Sequence, residues 1–172
     1  MSFSVSLAMR RNCSWEGLEA RRGWAPSRRI LRTLAASLGW LMAADDIERL
    51  RRIYDAFDRR AVDDLLADLA HDMEWRAPDT LPWGGHRHGP EGVRTMVECL
   101  DEHVDGGWGD PDDYLDAGDR VIVLGRLRGT ARATGATFEA AFAHVWTLGD
   151  GMPVACDVYL DTGAVLKAIG RG

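Results

Sequence analysis

The stretch from Trp108 to Leu160 constrains this chain more than any other part of it. Four segments, near Trp108–Leu115, Arg120–Thr130, Thr137–Leu148 and Met152–Leu160, have the length and composition of strands. Asp116-Ala117-Gly118-Asp119 and Gly149-Asp150-Gly151 separate them as hairpin connections, because Asp-Gly supplies the positive φ that a tight turn requires. Strands joined so closely run antiparallel, so this half of the chain is a meander. One face of such a sheet needs an apolar cover, and the preceding residues supply it.

Ile47, Leu50, Ile53, Tyr54 and Phe57 recur at helical steps, with Arg49, Arg51, Arg52 and Asp55 on the wet side and Asp45 or Asp46 as the cap. Val62, Leu65, Leu66 and Leu69 mark a second, shorter helix, with Asp63, Asp64 and Asp68 outward. Met73–Arg76 is a brief strand, stopped by Pro78, which cannot donate to a ladder. Leu81–Gly89 is a loop rich in turn-formers. Pro90 then opens a helix, where its missing N–H costs nothing. Val93, Met96, Val97 and Leu100 are the apolar face of that helix, and Asp105-Gly106-Gly107 its end. Asp161-Thr162 caps a last short helix, Gly163–Ile169. This order predicts an α+β fold, a curved antiparallel sheet with the N-terminal helices gathered on one face.

Charge divides the chain. Residues 1–41 hold seven arginines and two glutamates, a net +5, which leaves −11 on the rest for a chain total of −6. An acidic body repels polyphosphate, so nucleic acid is not an expected partner. The first 41 residues read as a poorly ordered Arg-rich extension, with Met42 as a natural start and 42–172 as the domain. A secretory signal and an organelle transit peptide compete with that view, but Arg32 interrupts the apolar stretch a signal needs. No apolar run reaches the length of a membrane span. Cys13, Cys99 and Cys156 form no ligand-like spacing, which fits a reducing compartment and a cytoplasmic protein. Lys167 is the only lysine, so lysine-based covalent chemistry has almost no scope.

Several motifs occur in one order. Ile53-Tyr54-Asp55-Ala56-Phe57 and Val62-Asp63-Asp64-Leu65-Leu66 are followed by His71-Asp72-Met73-Glu74-Trp75-Arg76-Ala77-Pro78. Then come Leu81-Pro82-Trp83-Gly84-Gly85 with Gly89-Pro90-Glu91-Gly92-Val93, Ala117-Gly118-Asp119-Arg120-Val121, Phe142-Ala143-His144-Val145-Trp146 and Tyr159-Leu160-Asp161-Thr162. Taken together, over about Ile47–Ile169, they resemble the SnoaL-like branch of the nuclear-transport-factor-2-like, ketosteroid-isomerase-like superfamily. The resemblance implies a cone-shaped, barrel-like α+β domain with a deep, mostly apolar pocket between sheet and helices, usually in a homodimer. It does not imply one reaction, since fold and function separate widely.

Set against ketosteroid isomerases, the chain has Ala77 where the general base would be and Ala143 at the oxyanion aspartate. The tyrosine position falls on or beside Ile53, with Tyr54 one residue away and roughly 100° around the helix. Steroid isomerisation is therefore not expected. Set against the polyketide cyclases, His144 matches a strand histidine, while Val158 stands at the acid–base aspartate. Asp157 or Asp161 would replace that aspartate only if a bulge or strand end turned one inward.

His144, between Phe142 and Trp146, is the leading candidate acid or base, against a histidine satisfied by a neighbour or at a dimer contact. Capping is the leading role for Asp161; pocket and solvent compete for Asp157. Trp75, Trp83 and Trp146 are candidate pocket walls for a flat ligand, with core packing as the competing role. Tyr54 is a candidate to direct its hydroxyl into the cavity. His86-Arg87-His88 has two alternating imidazoles but no evident third ligand, so no metal is expected, and His86 is assigned to the polar mouth of the pocket. Arg126, Arg128 and Arg132 fit a solvated sheet face with ion pairs across strands, and Glu139 is expected on that face, with an inward carboxylate as a rival acid–base group. Phosphate-loop, dinucleotide and serine-elbow motifs are missing. The expectation is a cofactor-free pocket protein for a small apolar, ring-bearing metabolite, acting by proton transfer if it is an enzyme. A ligand carrier or dimerisation module is the alternative.

Overall fold

The computed structural model describes residues 44–106 and 109–171. The extension proposed for residues 1–41, the start of a strand at Trp108 and a helix end at Gly107 lie outside them. The described part of helix α1 is 44–58, so Asp45 and Asp46 sit within the helix rather than before it. Leu50, Ile53, Tyr54, Ala56 and Phe57 form its buried side. Helix α2, Val62–Ala67, buries Leu65 and Leu66. Helix α3, Gly89–His103, has Pro90 in its first turn and buries Val93, Met96, Val97 and Leu100, as the apolar period requires. Helix α4 is Thr162–Ala168. Among the described residues, no helix is long and apolar enough to cross a membrane.

Among the described residues, seven strands make one sheet: β1 Glu74–Ala77, β2 Gly85–His88, β3 Val104–Asp105, β4 Asp110–Asp116, β5 Arg120–Ala131, β6 Thr137–Gly149 and β7 Met152–Leu160. Their order is β2-β1-β7-β6-β5-β3, with β4 also paired to β5. β1 ends at the residue before Pro78, as expected. Two features depart from the expected meander. Gly85–His88, expected as loop, pairs with β1 as an edge strand, and β1 joins β7 in parallel. The fold is α+β, its sheet curled as a half-barrel against the helices.

Register decides which residues meet the core. Val121, Trp146, Cys156 and Trp75 form one row across β5, β6, β7 and β1; Val123, His144 and Val158 form the next, then Gly125, Phe142 and Leu160. These rows face the helices. The alternating rows face outward: Ile122, Val145, Asp157, Arg76 and His86 in one, and Leu124, Ala143 and Tyr159 in another. Gly125 is required where it stands, because a Cβ there would come within 2.3 Å of the Asp110 carbonyl oxygen and 2.6 Å of the Phe142 ring. Its absence lets that ring lie flat over β5.

Candidate functional site

A cavity of about 60 Å³ opens between the inward rows of the sheet and the helices. Its walls are Trp75 and Ala77 from β1, Leu81 and Trp83 from the β1–β2 connection, Tyr54 and Phe57 from α1, and Phe142, His144, Val158 and Leu160 from β6 and β7. Met96, Leu100, Gly109 and Leu127 complete it. Among the described residues, only the side chains of His144, Tyr54 and the two tryptophans bring polar atoms, and no carboxylate lines the cavity. That volume holds a few waters; a ring-bearing molecule enters only if wall side chains move. Beside it lies a wider depression of about 560 Å³ that shares Tyr54 and Gly109 and is polar, with Arg51, Asp55, Asp58, Asp110 and Arg128.

Tyr54 and His144 meet because α1 lies across β6. The tyrosine hydroxyl is 2.6 Å from His144 Nδ1, and the Trp146 indole N–H donates to the same hydroxyl at 3.2 Å. Burial pushes the Tyr54 phenol well above its ordinary value, so it keeps its proton. Burial pushes the His144 imidazole down to about 3, so it is neutral near pH 7. The direction that gives both the Trp146 N–H and the Tyr54 O–H an acceptor runs from Trp146 N–H to the Tyr54 oxygen and from Tyr54 O–H to His144 Nδ1. This places the imidazole proton on Nε2, which has no protein partner among the described residues. Phe142 stacks on the same ring at 4.2 Å between centroids, and Trp75 meets it edge-on at 6.0 Å. The Trp75 indole N–H is buried without a hydrogen-bond partner.

Of the residues expected at a site, Tyr54, Trp75, Trp83 and His144 line this cavity. The others do not. Trp146 is fully buried beneath Tyr54 and acts as its hydrogen-bond donor. Asp157 points out of the sheet and binds Arg76 at 3.0 Å, because β7 pairs regularly with β6 from Ala155 to Leu160 and its one register shift lies earlier, at Val154. Asp161 stands at the N-cap of α4, exposed, and its side chain makes no cap hydrogen bond. His86 lies on the outer face, exposed, not at the pocket mouth. Ala143 also turns outward, while its neighbours Phe142 and His144 line the cavity.

Two features escaped the sequence reading. Phe142 is the ring that stacks on His144, which alternation with His144 along one strand implies once that strand's inner face is known. Glu74 stands beside both His86 and His88, a third donor that only the strand pairing reveals. Glu139 is exposed, as expected, and the hydrogen bond from Arg128 holds its carboxyl below the usual range.

Comparison with known proteins gives the same architecture. An NTF2-like protein of unknown function from Burkholderia pseudomallei is 31% identical, with a TM-score of 0.68, covering 73% of this chain and 97% of its own. An NTF2-like protein from Burkholderia thailandensis is 34% identical at a TM-score of 0.68, covering 72% and 96%. TerC, co-crystallised with polyporic acid, is 26% identical at a TM-score of 0.68, covering 73% and 98%. No curated protein matches the chain. The SnoaL-like domain model matches residues 50–155, and with that match the chain belongs to the SnoaL-like domain family.

Proposed function

We propose that this protein binds a small, apolar, ring-bearing metabolite that carries a carbonyl oxygen, and that His144 Nε2–H is the group that meets the oxygen. The observation that carries this is the Trp146–Tyr54–His144 chain, which directs a neutral donor toward a cavity that is otherwise almost wholly apolar. Such pockets recognise ligands by shape and a few fixed polar groups. The co-crystallisation of TerC with polyporic acid supports a ring-bearing ligand class. Native mass spectrometry with paired aromatic ketones and their deoxygenated analogues tests this. The ketones should bind more tightly to the wild type and lose that preference in His144→Phe. Equal binding of both series by the wild type would sink the proposal.

A second reading is catalytic: isomerisation or aldol cyclisation through an enolate whose oxygen His144 stabilises. The neutral imidazole favours it, because such a donor polarises a carbonyl without giving up its proton. His144 is then a hydrogen-bond donor rather than a general base, since Nδ1 is engaged and Nε2 carries the proton. Among the described residues no carboxylate lines the cavity to take the α-proton, which favours the binding reading. We further propose a homodimer through the outward row Leu124, Ala143 and Tyr159, in which Tyr159 is 61% exposed.

A further inference from the structure

His86 and His88 alternate along the edge strand β2, so both imidazoles leave the sheet on its outer face. Opposite them on β1 stand Arg76 and Glu74, in the pairs Arg76 with His86 and Glu74 with His88. Glu74 carboxylate oxygens lie 3.8 Å from His86 Nε2 and 3.7 Å from His88 Nε2. The two imidazole centroids are 5.1 Å apart, and one donor atom from each of the three residues falls within 4.8 Å of the others. We propose that Glu74, His86 and His88 form a binding site for a divalent transition-metal ion of the zinc class, separate from the apolar cavity.

The chemistry of the donors selects the ion. Two imidazole nitrogens and one carboxylate suit zinc and its neighbours, whereas calcium and magnesium prefer all-oxygen sets. Three protein ligands leave a fourth position for water. Metal–ligand bonds of about 2.0–2.2 Å place tetrahedral ligands roughly 3.3–3.5 Å apart. The Glu74–imidazole separations of 3.8 and 3.7 Å need a contraction of a few tenths of an ångström, and the full set, within 4.8 Å, one of at most about 1.5 Å, within reach of exposed side chains.

One neighbour opposes the ion. The Arg76 guanidinium binds Glu74 on the same face, and it also holds Asp157 at 3.0 Å. A metal ion must displace Arg76 from Glu74, and Asp157 gives the guanidinium a carboxylate to keep. Once bound, the ion ties the edge strand to β1 on both sides of the connection that carries Leu81 and Trp83 to the cavity wall. A second group, Cys99, Glu102 and His103, also brings donor atoms within 4.8 Å. There the thiol already donates to the Pro82 carbonyl, and His103 Nδ1 bonds the Cys99 carbonyl, so these donors are engaged locally.

Calorimetric titration of the full chain with Zn²⁺, and visible absorption with Co²⁺, test the site. The wild type should take up one equivalent saturably. His86→Ala/His88→Ala should weaken that binding by roughly tenfold or more, since even outer-shell partners of a metal site carry that much. Glu74→Gln should weaken it as well. Arg76→Gln should tighten it by removing the competing cation, and Cys99→Ser/His103→Ala should leave it unchanged. The proposal is overturned by an absence of saturable binding, by undiminished affinity in the double-histidine variant, by weaker or unchanged binding in Arg76→Gln, or by a thiolate-to-cobalt charge-transfer band that places the ion at Cys99.

Discussion

His144 accepts a proton only by breaking its bond from Tyr54 and charging a ring packed between Phe142 and Trp75. In the unfolded chain the imidazole titrates at its ordinary 6.5; in the folded protein it does so at about 3. As pH falls through that window the unfolded state binds a proton the native state refuses. The contribution of the neutral ring is therefore complete above pH 6.5 and is lost toward pH 3, at up to about 1.4 kcal/mol per pH unit. Urea denaturation at pH 7, 6 and 5 should show this slope in the wild type and a shallower one in His144→Phe. Tyr54→Phe removes the shared hydroxyl and leaves both His144 Nδ1 and the Trp146 N–H unpaired. It should cost roughly 1–3 kcal/mol in the same assay. Both residues were legible in the sequence, Tyr54 from a helical stripe and His144 from a family position. Their pairing was not, because it depends on how α1 crosses β6. Asp157 was left open between pocket and solvent, and His86 was misplaced, for a related reason: along a strand, one step of register exchanges pocket for solvent.

Among the elements, the amphipathic helices were the most legible, since a 3.6-residue period over three turns has few alternative explanations. β2 was the least, because Gly84-Gly85-His86-Arg87-His88-Gly89 has the composition of a loop and becomes a strand only through its pairing with β1. A four-residue edge strand carries no apolar alternation of its own to read. The long hairpin β5–β6 depends on one small residue. Gly125→Val would drive a side chain into Phe142 and should destabilise the protein by roughly 1–3 kcal/mol in thermal or chemical denaturation. On the outer face the reverse holds. Asp157→Asn loses an exposed pair with Arg76, should cost less than about 1 kcal/mol, and should leave ligand binding in the cavity unchanged.

Over the whole molecule, the α+β class followed from helices preceding strands, and the apolar core from their inward faces. The parallel join of β1 to β7 was hidden, because it is made between segments far apart in the chain. The outward row Leu124, Ala143 and Tyr159 is the basis for the proposed dimer. Light scattering after size-exclusion chromatography should give a dimer for the wild type, and Tyr159→Glu should shift it to monomer without lowering the monomer's helix content. A monomeric wild type would remove that part of the proposal.

The join of β1 to β7 also dictates an order of events during synthesis. Arg76 and Asp157 meet across 81 positions of sequence, so β1 leaves the ribosome long before the strand that receives it exists. Until β7 is made, Trp75 has no sheet to pack on, and the β1–β2 hairpin waits as an unpaired, aromatic edge. Contacts of such long sequence separation slow folding and leave sticky surface exposed meanwhile. Nascent chains stalled just before Met152 are the ones a chaperone should hold most tightly, and completion of a single nine-residue strand should release them.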